Sequence, residues 1–308
     1  MNAVDSKSYQ PGRIAYVIAI TFILFMVGLA EFLQRSEIIL PEVAAMAIAM
    51  WVYREPGWIR RPSVIFIAPT VTAMMGLIIN QFQIAFTVKV ILTLIAMMLF
   101  LRAIRSNFAP AIATGLLPLA VHTEDGGLVW IVLSFTLILM AVVVVLQLHK
   151  NLPASSMIQY KYMIIFLAIA LCWLGICWIM GNEQLAVIPP LFVVVYESIQ
   201  KQSYSVKIAG KQVLTLTLSA TIGTTMLLEL DSQLLATLID MLSIIVISRL
   251  FHMRIPALYA IPLLTFIFPI DQVERFPLVV FCASLFMFSL VLFYKLMEKK
   301  VFEHKYQA

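Results

Sequence analysis

Charged residues are scarce in this chain of 308 residues, where Asp, Glu, Lys and Arg make up only 12%. The usual share in soluble domains is roughly 25%. Apolar residues reach 62%, which is more than a soluble domain of this size can bury, and which also excludes a disordered chain. The composition therefore predicts an all-α integral membrane protein that crosses the bilayer many times.

Cysteine and histidine are also rare, and neither forms a recognisable site. The three cysteines, Cys172, Cys177 and Cys282, lie inside apolar stretches and do not have the spacing of metal ligands. The sequence contains no glycine-rich phosphate loop, no serine-nucleophile elbow and no His-Glu-x-x-His pair. We therefore expect no enzyme activity, no metal site and no cofactor.

Apolar runs between polar breaks give twelve candidate membrane helices, and none alternates with the period of two that is typical of barrel strands. The first run follows Lys7 and Arg13 and resembles a signal peptide, but it is too long for one, so we interpret it as a retained span. The predicted spans are approximately 13–34, 38–53, 63–80, 84–104, 108–121, 128–149, 160–180, 184–199, 208–228, 233–251, 255–270 and 276–297.

Basic residues indicate how these spans are oriented. Most of the 21 Lys and Arg residues fall in the two tails and in every second loop, whereas Arg35 and Arg275 lie in the opposite loops and Lys89 lies within a span. Lys and Arg collect on the cytoplasmic side of membrane proteins. The pattern predicts a protein of the cytoplasmic membrane with both termini in the cytoplasm. Its basic character favours contact with anionic inner-leaflet lipids rather than with nucleic acid.

The two halves of the sequence resemble each other at an offset of about 147 residues. Gly76 corresponds to Gly223, and Arg102 corresponds to Arg249. Because six spans are an even number, we predict two parallel six-helix repeats, residues 1–150 and 151–308, related by an axis along the membrane normal. If the fifth and eleventh segments were re-entrant, the repeats would instead be inverted, but the charge pattern argues against that arrangement.

Several motifs in each half resemble those of HPP-type membrane proteins. In the first half these are Leu40-Pro41-Glu42, Arg60-Arg61-Pro62, Thr72-Ala73-Met74-Met75-Gly76, Arg102 and Pro110-Ala111-Ile112-Ala113; in the second they are Ile188-Pro189-Pro190, Lys207, Ala220-Thr221-Ile222-Gly223, Arg249 and Pro256-Ala257. The His-Pro-Pro signature itself is absent. The resemblance implies transport of a small anion such as nitrite. A weaker similarity exists to six-span exporters of aromatic acids.

Three charged residues lie within predicted spans, namely Glu42, Lys89 and Asp240. A charge near the bilayer centre is costly and is by default a functional candidate. Lys89 and Asp240 lie in equivalent spans, so we expect them to form a buried ion pair or gate. The structural alternatives are a pair that only joins the repeats, or a lysine whose head group reaches the interface.

Prolines, hydroxyl groups and two arginines complete the candidate path. Pro-interrupted segments at matching positions are the best sequence pointer to a transporter site, although they can be ordinary kinks. The threonines can equally bond to their own helix, and the arginines can simply anchor helix ends. The candidates are Pro41, Pro118, Pro189, Pro190 and Pro262, then Thr72 and Thr221, then Arg102 and Arg249. Pro118 and Pro262 are expected near mid-membrane, at the interface between the halves.

These observations predict a transporter or permease for a small solute, with a small anion among the possibilities and a path between the two repeats. The rival interpretation is a membrane scaffold or an accessory subunit of a larger complex. A homo-oligomer or a membrane partner is compatible with either.

Overall fold

The computed structural model describes residues 12–152, 159–181, 183 and 186–307, and this part of the chain contains helices and no strands. Lys7, in the basic N-terminal segment, lies outside the described residues. The helices are α1 Arg13–Leu33, α2 Pro41–Ala47 with a π-helical continuation Ile48–Val52, α3 Pro62–Asn80, α4 Phe86–Ala103, α5 Pro110–Ala120, α6 Gly127–Val145, α7 Lys161–Ile179, α8 Pro189–Gln200, α9 Val206–Glu229, α10 Gln233–Phe251, α11 Ile261–Leu264 with a preceding 3-10 turn Pro256–Tyr259, and α12 Phe276–Gln307. Single turns of helix also occur at Ser36–Ile38, Pro56–Ile59 and Ile270–Val273.

The predicted all-helical membrane class is confirmed, but not every predicted span is a full-length helix. Each of the twelve predicted segments contains helix, whereas seven helices within the described residues are long and apolar enough to cross a membrane: α1, α3, α4, α6, α7, α10 and α12. The helix α9 has 24 residues but is more polar. The remaining four, α2, α5, α8 and α11, are referred to below as the short helices.

Proline marks the first residue of the helical part in each of the four short segments. Pro41, Pro110, Pro189 and Pro256 each occupy the first position of a helix or helical turn, where the missing N–H costs no hydrogen bond. The residues before three of them, Leu40, Ile188 and Ile255, are extended, as proline favours in its predecessor. The 11 residues of α5 reach only about 17 Å, well short of a hydrocarbon core of about 30 Å.

The short helices form the centre of the molecule, and the long helices surround them. Residues 38–53, 108–120, 186–196 and 255–266 are buried without interruption. The long helices instead bury one side and expose large apolar side chains such as Trp130, Leu250 and Phe293 on the other. An apolar outer surface of this extent fits lipid rather than water. The sequence, read as apolar runs, does not separate these two environments.

The helix packing follows the same scheme in both parts of the chain. α3 packs against α4, α5 and α6, and α9 packs against α10, α11 and α12. α1 packs against α10, and α4 packs against α7, so the two parts are joined on both sides. In the centre, α5 packs against α8, and α2 packs against the Pro256–Tyr259 turn.

Candidate functional site

A cavity lies where the starts of the short helices meet. The cavity is narrow and has room for about one water molecule. α2 and α8 contribute their second and fifth residues, α5 its first and fourth, and the Pro256–Tyr259 turn its first two. The lining residues are Glu42, Ala45, Trp58, Pro110, Ala113, Pro190, Val193, Glu197, Pro256, Ala257 and Ala260.

Small side chains create the open space. Ala45, Ala113, Ala257 and Ala260 line the cavity where larger residues would fill it. Backbone N–H groups at the starts of helices have no partner within the helix, so helix starts give the wall a partial positive charge. The proline rings at these starts remove some of those donors. Carboxyl groups are therefore the strongest polar groups of the cavity wall.

Glu42 is the more deeply buried of the two carboxyl groups. It is the second residue of α2 and is 2% exposed, and its Oε1 atom has no hydrogen-bond partner. A carboxylate that is buried without a cation or donors is costly, so such a group is generally protonated. Glu42 can therefore donate or accept a hydrogen bond, or exchange a proton, within the cavity.

Glu197 lies at another part of the cavity wall, beside Trp58. The indole Nε1 of Trp58 donates a hydrogen bond of 3.1 Å to Glu197 Oε1, and the Trp58 ring lies 6.0 Å from that of Phe108. Glu55 and Lys201 act electrostatically on Glu197, so ionisable groups of two neighbouring loops lie close to it. Burial raises the pKa of Glu55, and the nearby Lys201 partly opposes that effect.

Comparisons with protein-family models, curated proteins and solved structures found no match to this chain. The function is therefore inferred from the residues and the geometry of the site.

Of the residues proposed from sequence, the structure places Glu42 and Pro190 in the wall of the cavity. Pro41 and Pro189 start α2 and α8, immediately beside them. All four are buried. The remaining candidates lie elsewhere.

The expected ion pair between Lys89 and Asp240 is not formed. Lys89 Nζ donates a hydrogen bond to the backbone carbonyl of Asn80, the last residue of α3. Carbonyls at a helix C-terminus lack partners and attract cations, so the lysine is satisfied within its own half of the chain. Asp240 is 0% exposed, and neither carboxylate oxygen has a hydrogen-bond partner.

The two other candidate prolines pack against a neighbouring helix of the same half rather than lining the cavity. Pro262 meets α9 at Gly223, where an added Cβ would lie 2.5 Å from Pro262 Cα. Pro118 lies next to Gly76 of α3, and its carbonyl oxygen accepts a hydrogen bond of 3.4 Å from Asn80 Nδ2. Both prolines are buried, and each lies at a close helix contact that the absence of a Cβ at the facing glycine permits.

The threonines and arginines also lie away from the cavity. Thr72 donates to the carbonyl oxygen of Ala68 at 2.9 Å and lies 2.8 Å from the Thr114 hydroxyl, whereas Thr221 is exposed and bonds to its own helix. Arg102 and Arg249 are exposed. Their guanidinium groups lie over the rings of Tyr160 at 5.1 Å and Tyr16 at 5.9 Å, which suits helix ends at a membrane surface.

Two polar contacts between the halves, not predicted from sequence, hold the short helices in place. The Tyr53 hydroxyl, just after the π-helical end of α2, lies 3.3 Å from Ser248 Oγ of α10. The Tyr196 hydroxyl of α8 donates a hydrogen bond to Asn107, just before α5. Sequence reasoning gave no signal for these partners, because they come from distant parts of the chain.

Glu197 and Trp58 were also missed. Glu197 is the only charged residue of the predicted span 184–199, and the rule that selected Glu42 could have found it. Trp58 lies in a loop between spans, and no pattern in the sequence connects it with the cavity.

Proposed function

We propose that this multipass membrane protein is a transporter for a small solute, and that the solute path runs through the central cavity. The observation that carries this proposal is the convergence of three Pro-initiated short helices, α2, α5 and α8, and the Pro-initiated turn Pro256–Tyr259 on one cavity with two carboxyl groups. Interrupted helices whose ends meet near mid-membrane are a common basis of solute sites in transporters, because non-helical backbone is tolerated there only around a cavity.

Residues 1–150 and 151–308 are proposed to be the two repeats that frame this path. The packing of α3 on α4, α5 and α6 matches that of α9 on α10, α11 and α12. The cavity wall follows the same relation, since Glu42 and Ala45 of α2 hold the positions that Pro190 and Val193 hold in α8. In this proposal all twelve segments cross the bilayer. The segments that hold α2, α5, α8 and α11 cross it as an extended stretch of chain followed by a short helix.

The chemistry of the wall narrows the solute class. None of the described residues that line the cavity is cationic, and two are acidic. A small neutral or cationic solute suits this wall directly. A small anion, which the resemblance to HPP-type proteins implies, would need both carboxyl groups to be neutral.

Membrane location and orientation remain proposals that rest on charge. The bias of Lys and Arg towards one set of loops supports a cytoplasmic membrane protein with both termini in the cytoplasm. Arg102 and Arg249, at the ends of α4 and α10, would then face anionic lipid headgroups on the cytoplasmic side.

The transport proposal can be tested by swelling of proteoliposomes, followed by light scattering, with urea, ammonium chloride and sodium nitrite as neutral, cationic and anionic probes. We expect flux above that of empty liposomes for at least one probe. In Ala113→Cys, a methanethiosulfonate reagent should block this flux and a reductant should restore it, because Ala113 lines the cavity.

The matched control is Ala141→Cys, on the exposed side of α6, which should be insensitive to the reagent, as should the wild-type protein with its three native cysteines. Absence of flux for every probe, or equal block of both variants, would contradict the proposed path. A stoichiometric membrane partner copurifying with an inactive protein would favour the accessory-subunit alternative.

A further inference from the structure

The central cavity has two carboxyl groups and no Lys, Arg or His among its described lining residues, so Glu42 has no cationic partner in the cavity wall. Glu42 is nearly completely buried and keeps one oxygen free of hydrogen bonds. A carboxyl group in this setting can be charged only if a cation enters the cavity with it, and the smallest available cation is the proton.

Among the described side chains packed around Glu42, no cation stabilises its charged form, although its own backbone N–H and the start of α2 do so in part. α2 packs against α1, α5, α6, α8, α11 and the Pro256–Tyr259 turn. α5, α6 and α11 carry no ionisable side chain, and Arg13 and Glu31 lie at the exposed ends of α1. The other ionisable side chains on these elements and on the end of α2 are Tyr16, Tyr53, Tyr196, Glu197 and Tyr259, none of which is a base.

Glu197 offers a route by which a proton on Glu42 can reach solution. Both residues line the same cavity, which holds about one water molecule. Glu197 also responds to the charges of Glu55 and Lys201, which lie in loops that follow α2 and α8. Glu197 therefore borders both the cavity and the loops that carry Glu55 and Lys201.

We propose that Glu42 is the proton-binding residue of the solute path, and that it exchanges its proton with solution through Glu197, so that transport is coupled to proton movement. The coupling rests on the proposed transport function, whereas proton binding at Glu42 does not. A metal ion is a poorer fit, since no group of three or more His, Cys, Asp or Glu side chains occurs among the described residues.

The proton site can be tested by infrared spectroscopy of the full chain in lipid nanodiscs at neutral pH. A protonated carboxyl group has a C=O stretch that a carboxylate lacks. We expect Glu42→Gln to remove one component of this band. Asp240→Asn, the matched control, should remove a different component, because Asp240 is also buried without partners but does not line the cavity.

Transfer into D₂O tests the exchange route, because deuteration shifts the C=O band. The Glu42 component should shift faster than the Asp240 component, and Glu197→Gln should slow the former several-fold while leaving the latter unchanged. If Glu42→Gln has the same spectrum as the wild type, the proton site at Glu42 is refuted. If the rate of exchange at Glu42 is unchanged in Glu197→Gln, the route through Glu197 is refuted.

The coupling is tested with whichever probe crosses the proteoliposome membrane, under an imposed pH gradient. Wild type and Asp240→Asn should respond to the gradient, and the flux that remains in Glu42→Gln should not. If the solute flux of the wild type does not change with the pH gradient, proton coupling is refuted but the transport function is not. If the infrared component of Glu42 is present and exchanges as expected, but no probe crosses the proteoliposome membrane, the transport function is refuted and the proton site is not.

Discussion

The contact between α9 and the α11 segment should be highly sensitive to a single added methyl group. Gly223 faces Pro262, and a Cβ at Gly223 would lie 2.5 Å from Pro262 Cα, 2.7 Å from its Cβ and 3.2 Å from its carbonyl oxygen. Ordinary contacts between such atoms begin near 3.4 Å, so Gly223→Ala requires a separation of roughly 1 Å. Backbone and a proline ring cannot yield as the end of a flexible side chain can.

The expected cost follows from what that separation does to the packing. Overpacking of a close helix contact destabilises by about 1–3 kcal/mol, and the displaced segment carries Ala257 and Ala260 of the cavity wall. Gly210 provides the control, because it lies in the same helix and an added Cβ would meet nothing within 4 Å. Gly210→Ala should stabilise by about 0.5–1 kcal/mol through helix propensity.

The two variants can be compared by thermal unfolding of purified protein in one detergent, together with swelling of proteoliposomes for any probe that the wild type carries. We expect a lower melting temperature and altered flux for Gly223→Ala, and an equal or higher melting temperature with unchanged flux for Gly210→Ala. If the two alanine variants are equally stable, the close approach of α9 to Pro262 is refuted.

Three further predictions concern helix ends and isolated charges. Gln34 follows α1 with a left-handed φ of 53°, whereas Gln81 follows α3 with a φ of −73°; Gln34→Gly should therefore raise the melting temperature by an amount equivalent to about 1 kcal/mol, and Gln81→Gly should not. Lys89→Ala and Asp240→Ala should have additive effects on stability, because the two side chains do not contact each other; a coupling energy well above about 0.5 kcal/mol would contradict the structure. Burial and the nearby Lys89 lower the pKa of His122, so the folded state binds a proton less readily than the unfolded state, and stability should decline as pH falls below about 6.5. In His122→Asn this part of the pH dependence should disappear, and an unchanged pH profile of thermal unfolding would show that His122 is not its source.

The helix positions could largely be predicted from sequence, because a polypeptide in lipid must satisfy its own backbone hydrogen bonds. Each apolar run therefore contains helix, as α3 and α10 illustrate at nearly their predicted bounds. The length of helix within a run could not be predicted in the same way. In the runs that hold α2 and α8, a proline starts the helix late and the preceding residues stay extended.

The candidate site could be predicted only in part. Glu42 was identified because a charge within an apolar run is costly wherever it lies, and that reasoning needs no knowledge of the fold. The same reasoning selected Lys89, which the structure explains through a local bond to Asn80. The energetic cost of a buried charge indicates that the charge has a structural or functional role. It does not show whether the charged group lies in a cavity, as Glu42 does, or bonds to the end of a neighbouring helix, as Lys89 does.

By itself, the sequence determined the membrane class, the helical backbone and the twelve helical segments, because these follow from composition and from hydrogen bonding along a single stretch of chain. Only the tertiary structure decided which segments are central and which face outwards, since both kinds are equally apolar. It also decided that Glu42 shares a cavity with Glu197 and Trp58, while Asp240 is buried elsewhere. The physical reason is that a cavity is formed by side chains from several helices, and their meeting depends on how those helices pack.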